Sequence, residues 1–271
     1  MHRTLLVFTT FLVMLSPPAV RADQAAFAAK VKADTALLGY WSFEGNYDDQ
    51  SGHGNPAKAF GDTSLIKPCP GVKGGQGVEF DNKTAEGQYL AVKAPIGSIF
   101  DVPKLSVFVW AKVNSTAVLG HWDDVLDRSS LWYMNTQWQY RADGNLGLAY
   151  VARIYDPANP ESGTNDSDQL QSSIAAQFLN GNEWHMYGFT YDGQVMLTYL
   201  DDKVSVRRIY AGGVGPTANT PTDAPHGQYD INWGAFTQLN TFMNGCVDDT
   251  AYFGRVLSPE EVKALYDAMM Q

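Results

Sequence analysis

Basic residues are scarce in this chain, and so are cysteines and long apolar runs. Lys and Arg number 19 against 29 Asp and Glu, a formal charge of −10. A phosphate polyanion meets net repulsion from that field, which excludes nucleic acid as the expected partner. Acidity of this kind suits neutral glycans or divalent cations, and equally it only keeps a protein soluble. There are two cysteines, Cys69 and Cys246. They lie in no Cys-x-x-Cys or Cys/His cluster, so no zinc site is expected. In an oxidising compartment they can pair, provided the fold brings their Cα atoms close; the sequence leaves this open. No Gly-x-Ser-x-Gly elbow is present for a serine hydrolase. No fixed-period repeat is present for a propeller or solenoid.

The only long apolar run is Leu5 to Leu15, and Ser16-Pro17-Pro18 breaks it before it can span a bilayer. It follows a basic start, Met1-His2-Arg3, and precedes Val20-Arg21-Ala22, which puts modest residues at the −3 and −1 positions of a signal-peptidase site. We therefore expect a secretory signal peptide over 1–22, a lead-in segment over 23–36 and one domain over 37–271. The compartment is then extracellular or periplasmic, with no membrane insertion after cleavage. Removing the leader deletes Arg3 and Arg21 and no acidic residue, so the mature chain is more acidic still.

What the chain has is short strands with turn residues between them. Ala25 to Ala33 reads as a helical lead-in. From Leu38 the pattern becomes extended, and Leu105 to Val113 is the clearest strand: Leu105, Val107, Val109, Ala111 and Val113 share one face, Phe108 and Trp110 the other. Both faces are apolar, so this strand is expected to be central. Asp192-Gly193 between two strand patterns signals a hairpin. The chain closes on a helix announced by Ser258, Pro259 and Glu261, a capping box with proline at the first helical position. The expected class is all-β: a two-sheet antiparallel β-sandwich (jelly roll) with a short C-terminal helix.

Tyr40-Trp41-Ser42-Phe43-Glu44-Gly45 with Asp49-Gln50-Ser51-Gly52-His53-Gly54-Asn55, then Gly77 to Asp81, Val107 to Lys112, Glu183 to Gly193, and Phe242 to Asp249 running to Ser258 form an ordered set of blocks. That set resembles the laminin-G-like jelly rolls of the concanavalin-A-like lectin/glucanase superfamily. The resemblance spans about 37–271 and departs from the usual pattern over roughly 116–178. It implies two packed sheets and a superfamily that mixes lectins, adhesive modules and glycan-cleaving enzymes, so the fold alone does not settle function. It also implies a structural calcium ion held by Glu44, Asp49 and Asp248, with a carbonyl from the 81–87 stretch; Asn244 and Asp249 are alternatives. The plainer reading makes Asp49 an Asx turn and Asp248 a solvent-facing residue. Trp41, Trp110 and Trp184 match framework positions, as does His185.

For chemistry, the paired carboxylates of a glycoside hydrolase are not found. Asp123-Asp124-Val125-Leu126-Asp127 reads as a solvated turn. His121, Tyr140, Arg141 and Arg153 hold residue types a polysaccharide lyase uses, and equally serve as exposed strand residues. A sugar platform is expected at Trp132, Tyr133, Trp138 and Tyr140 with Arg141, against the alternative that these aromatics fill the core. The expected function is a secreted, non-catalytic carbohydrate-binding module, possible partners being a glycan or an extracellular protein.

Overall fold

The computed structural model of the 271-residue chain describes residues 22–82, 87–95, 97–114, 122–128, 131–140, 146–154, 181–209, 230–236 and 241–271, with backbone alone at 22, 133, 135, 137–140, 146–154, 205–209 and 236. In chain order the elements are helix α1 (Ala22–Lys32), then strands β1 (Leu37–Trp41), β2 (Lys58–Phe60), β3 (Ile66–Pro70), β4 (Gln76–Asp81), β5 (Tyr89–Val92), β6 (Leu105–Val113), β7 (Trp122–Arg128), β8 (Trp132–Tyr140) and β9 (Leu146–Ile154). After them come β10 (His185–Tyr191), β11 (Val195–Leu200), β12 (Lys203–Ile209), β13 (Ile231–Trp233), β14 (Ala235–Phe236), β15 (Thr241–Phe242), β16 (Asn244–Phe253) and helix α2 (Pro259–Met270).

These strands build an antiparallel β-sandwich. One sheet has eight strands in the order β12-β11-β10-β6-β16-β4-β3, with β1 paired to the far half of β16. The other has six, β2-β5-β13-β7-β8-β9. The stretch that departs from the laminin-G-like pattern contributes β7, β8 and β9, three strands of the six-stranded sheet.

The alternation in β6 explains the layering. Leu105, Val107, Val109, Ala111 and Val113 point between the sheets and join Trp41, Trp132, Tyr187, Phe189 and Trp233 in the main core. Phe108 and Trp110 point the other way, under the helices. There they meet Phe27 and Val31 of α1, and Val262, Leu265 and Met269 of α2. Trp110 stacks on Tyr266 with ring centroids 5.6 Å apart. The eight-stranded sheet is therefore covered on both faces, which is why β6 is apolar on both. The 23–36 lead-in contributes directly to this cover.

Local chemistry fixes the ends. Ser258 accepts from the Glu261 amide and the Glu261 carboxylate accepts back from the Ser258 amide, the reciprocal capping box read from sequence. Arg255 ties Asp34, just after α1, to Glu261 in α2. At the β10–β11 hairpin, Gly193 takes a positive φ of 102° while Asp192 Oδ1 accepts from the amides of Gln194 and Val195. Cys69 and Cys246 are free and buried. Its hydrogen bond with the Cys246 thiol, then burial, pushes the Cys69 thiol upward. The strands that carry them, β3 and β16, both flank β4. That places them two strand spacings apart, about 9.6 Å in a regular sheet, more than the ~7 Å Cα limit for a disulfide.

Candidate functional site

Among the described residues, the outer face of the six-stranded sheet carries no helix. Register shows what it does carry. Leu90 and Val92 of β5 point into the core, so Tyr89 and Ala91 point out. Phe60 lies opposite Tyr89, and the two rings stack with centroids 5.0 Å apart and planes 10° from parallel. Lys58, Ala91, Asn232 and Asp127 form the next row across β2, β5, β13 and β7. Asn232 donates its amide to Asp127 Oδ1 at 2.7 Å, and both residues are buried. One row further, Lys93 meets Asp230 at 2.6 Å, while the other Asp230 oxygen accepts from the Ala94 amide.

The result is a half-buried aromatic pair beside a strip of paired polar groups. A buried carboxylate is costly unless it is bonded, and here each has a fixed donor. Burial, then the Asp230 and Asp127 carboxylates, raise the Tyr89 phenol, with Lys93 opposing. Behind the strip, Arg128 points inward and is buried; it donates to the Phe100 and Ala94 carbonyls at 2.9 and 3.0 Å and pairs with Asp101. It holds the 94–101 loop against the edge of the sandwich.

The acidic run 123–127 is not a solvated turn, correcting the expectation from sequence. It is the interior of β7, with Asp123, Asp124 and Asp127 all buried. Thr241 donates to Asp124, and the Asn244 amide donates to Asp123 at 3.0 Å, so the carboxylates tie β15 and β16 to β7. Their donors come from more than a hundred residues away, which local sequence cannot show.

The expected sugar platform is also corrected at one position. Trp132 is 0% exposed, packed edge-on to Phe189 at 5.4 Å and beside Tyr252. It is a core residue. The side chains of Tyr133, Trp138, Tyr140 and Arg153, and Arg141 and His121 entirely, lie outside the described residues. Trp41 and Trp110 are buried, and His185 is pinned by Asp201 at 2.9 Å, as their framework positions imply.

Of the expected calcium ligands, Asp49 is spent on the turn. Its Oδ1 accepts from the amides of Tyr40 and Ser51, its Oδ2 from Asn55. Glu44 and Asp248 do approach one another, and Asp248 is buried rather than solvent-facing. Beside them, Asp249 accepts from the Tyr40 hydroxyl and from Gln24 of α1, whose amide also reaches Glu44 at 2.5 Å. Burial, then the neighbouring Asp249 carboxylate, lifts Asp248 well above the usual range, and burial lifts Asp249 to about 7. No three His, Cys, Asp or Glu side chains among the described residues form a ready metal centre. One buried acceptor does lack a partner there, Gln24 Oε1. Calcium takes amide and carbonyl oxygens as well as carboxylates, and Gln24 Oε1 would be such an oxygen beside Glu44 and Asp249.

No family model and no curated protein matches this chain. Solved structures do share its fold. Domain 4 of AbnA, a GH43 extracellular arabinanase from Geobacillus stearothermophilus solved with arabinotriose, superposes with a TM-score of 0.56 at 14% identity, over 85% of this chain and 98% of that one. The binding domain of Paraclostridial Mosquitocidal Protein 1 gives 0.56 at 14% over 88% of this chain. The ligand-binding domain of botulinum neurotoxin serotype D, solved with N-acetylneuraminic acid, gives 0.54 at 13% over 90%. This chain spans about half, 53%, of each of those two toxin structures. At such identities the likeness establishes the β-sandwich and nothing finer.

Sequence reasoning missed Phe60, Asp230 and Asn232. The alternation in Tyr89–Val92 does set Tyr89 apart from the core residues Leu90 and Val92. Its stacking partner sits 29 positions earlier on a three-residue strand, too short to announce itself by periodicity.

Proposed function

We propose that this chain is a secreted, non-catalytic glycan-binding module of laminin-G-like type, with its ligand on the outer face of the six-stranded sheet. The observation that carries this reading is the Phe60–Tyr89 stack on the face that the helices leave uncovered, flanked by Lys58, Lys93 and Asp230. Planar aromatic surface beside fixed polar groups suits the apolar face and hydroxyls of a sugar ring. A fold neighbour solved with arabinotriose and another with N-acetylneuraminic acid support the glycan reading. The motif order from Tyr40 to Ser258 supports the laminin-G-like assignment, and the basic, apolar start supports secretion. A calcium ion belongs to this reading as a stabiliser at Gln24, Glu44, Asp248 and Asp249, far in the chain from Tyr89.

The test is a glycan array probed with the mature protein, in calcium and again in EDTA. Binding is expected to at least one glycan class, and Tyr89→Ala is expected to weaken it about tenfold or more, in line with ~1–3 kcal/mol for a stacking aromatic, with the fold retained. A Tyr89→Ala protein that binds normally removes the platform from the mechanism. A folded wild type that binds no glycan turns the assignment to an extracellular protein-binding module. Loss of binding in EDTA with the fold intact would move calcium from the frame to the ligand site.

A further inference from the structure

We infer that removal of the leader supplies a cation to the acidic cluster beside α1: the α-ammonium group of Asp23 pairs with Glu44 and Asp249 and locks the helix onto the sandwich. The inference rests on the secretion reading above, with cleavage after Ala22, and goes beyond the glycan site. The hydrogen-bond donors of the cluster are all neutral. Glu44 Oε1 accepts from the Gln76 amide at 2.9 Å and from the Gln24 side chain at 2.5 Å. Asp248 accepts from the amides of Val72 and Asp249 at 2.9 and 2.8 Å. Asp249 accepts from the Tyr40 hydroxyl and from Gln24. Among the described residues, no lysine, arginine or histidine forms an ion pair with any of the three. Lys32 stands over the Tyr40 ring, but its ammonium bonds Gln50 at 2.6 Å.

Gln24 sits inside the cluster with an acceptor to spare. It is 2% exposed, and its Oε1 has no donor, although its Nε2 donates to Glu44. A Cβ at Gly75 would clash with both Glu44 Oε1 and Gln24 Oε1, so the two oxygens border one small space. Carboxylates and a free acceptor around such a space call for a group that carries both donors and positive charge. The sequence puts one next to it. Asp23 precedes Gln24 and is the first residue after the expected cleavage at Val20-Arg21-Ala22. Helical side chains lean toward the N-terminus, so the Gln24 amide and the Asp23 nitrogen lie at the same end of α1. With the leader attached, that nitrogen is a neutral peptide amide with one donor. After cleavage it is an ammonium with three donors, largely charged at pH 7. The helix dipole opposes a cation at this end with about half a charge, less than the full charges of Glu44 and Asp249. Cleavage thereby completes the seat of α1, whose Phe27 and Val31 lie in the apolar layer with Phe108 and Trp110.

The experiment compares two forms of the protein in EDTA, so that no calcium ion takes the same carboxylates. One begins at Asp23 and the other carries Gly-Ser ahead of it, each released from a fusion by a site-specific protease. The form beginning at Asp23 is expected to melt about 3 °C or more above the extended one. Acetylating its α-amine alone removes the charge and touches no side chain, and is expected to abolish that gain. The gap between the two forms is expected to close in the Glu44→Gln, Asp249→Asn double variant, which keeps the shapes and removes the charges. Equal melting temperatures for the free, extended and acetylated forms overturn the inference. A gap that survives the double variant also overturns it, since the ammonium then acts elsewhere. Should the double variant not fold, the acetylated form decides: one that melts like the free amine overturns the pairing. Intact mass of the chain secreted from its own leader separates the two readings. A first residue other than Asp23 overturns the cleavage and the pairing together, while Asp23 without a melting gap overturns the pairing alone.

Discussion

Trp132 and Tyr89 are both aromatic residues on strands of the same sheet, and the direction of the pleat gives them opposite tasks. Trp132 packs against Phe189 and Tyr252 in the core between the sheets. Trp132→Ala is expected to cost about 3–5 kcal/mol of unfolding free energy in a urea titration. A conservative Trp132→Phe is expected to keep the fold at a smaller cost, since the ring stays in the core beside Phe189 and Tyr252. Arg128 is the other residue whose removal should be severe. Its guanidinium is buried against two carbonyls and Asp101, so Arg128→Met strands a carboxylate and two acceptors. A loss of about 3–5 kcal/mol is expected, as for a broken buried pair, together with faster proteolysis in the 94–101 loop.

At the scale of elements, helix α2 owes its start to Ser258 and Glu261. Ser258→Ala is expected to cost about 1 kcal/mol, the usual worth of such a cap. Glu261 also has a pH signature. Its bonds to Arg255, then to the Ser258 amide, hold its carboxyl below the ordinary value of 4.5. A carboxyl depressed on folding contributes stability above its unfolded pKa and loses it as pH falls through the folded one. The melting-temperature difference between wild type and Glu261→Gln should therefore be largest near neutrality and close on acidification below 4.5. Helix α1 is held by the same charges, through Asp34 and Arg255, and by Phe27 and Val31 in the outer apolar layer. Phe27→Ala is expected to lower stability by about 3–5 kcal/mol and to expose the Tyr40 ring it packs against to a hydrophobic dye.

Among the described residues the two sheets differ: helices cover one, and the other carries a strip of paired, buried polar groups beside a half-buried ring pair. Under the proposed reading the ligand sits at the six-stranded sheet and a stabilising cation at the α1 side. Calcium is accordingly expected to raise the melting temperature through Gln24, Glu44, Asp248 and Asp249 without altering glycan affinity, and Gln24→Ala to reduce that gain. A melting temperature that is the same in calcium and EDTA would leave the Gln24 carbonyl without the ion assigned to it.

The sequence by itself determined what depends on near neighbours in the chain. The alternation of β6, the Asp192-Gly193 hairpin and the Ser258 cap are each written within a few residues, because pleat, turn and cap geometry act over that range. From these came the all-β class and the closing helix. Tertiary structure alone decided which partners meet. Tyr89 finds Phe60, Asp127 finds Asn232 at a separation of 105 residues, and Gln24 finds Asp249 at 225. It also decided that Trp132 faces inward and that Asp49 serves a turn. A residue's type states what it can bond. Which groups a sheet register brings across from it is a property of the assembled sandwich, and there the site is made.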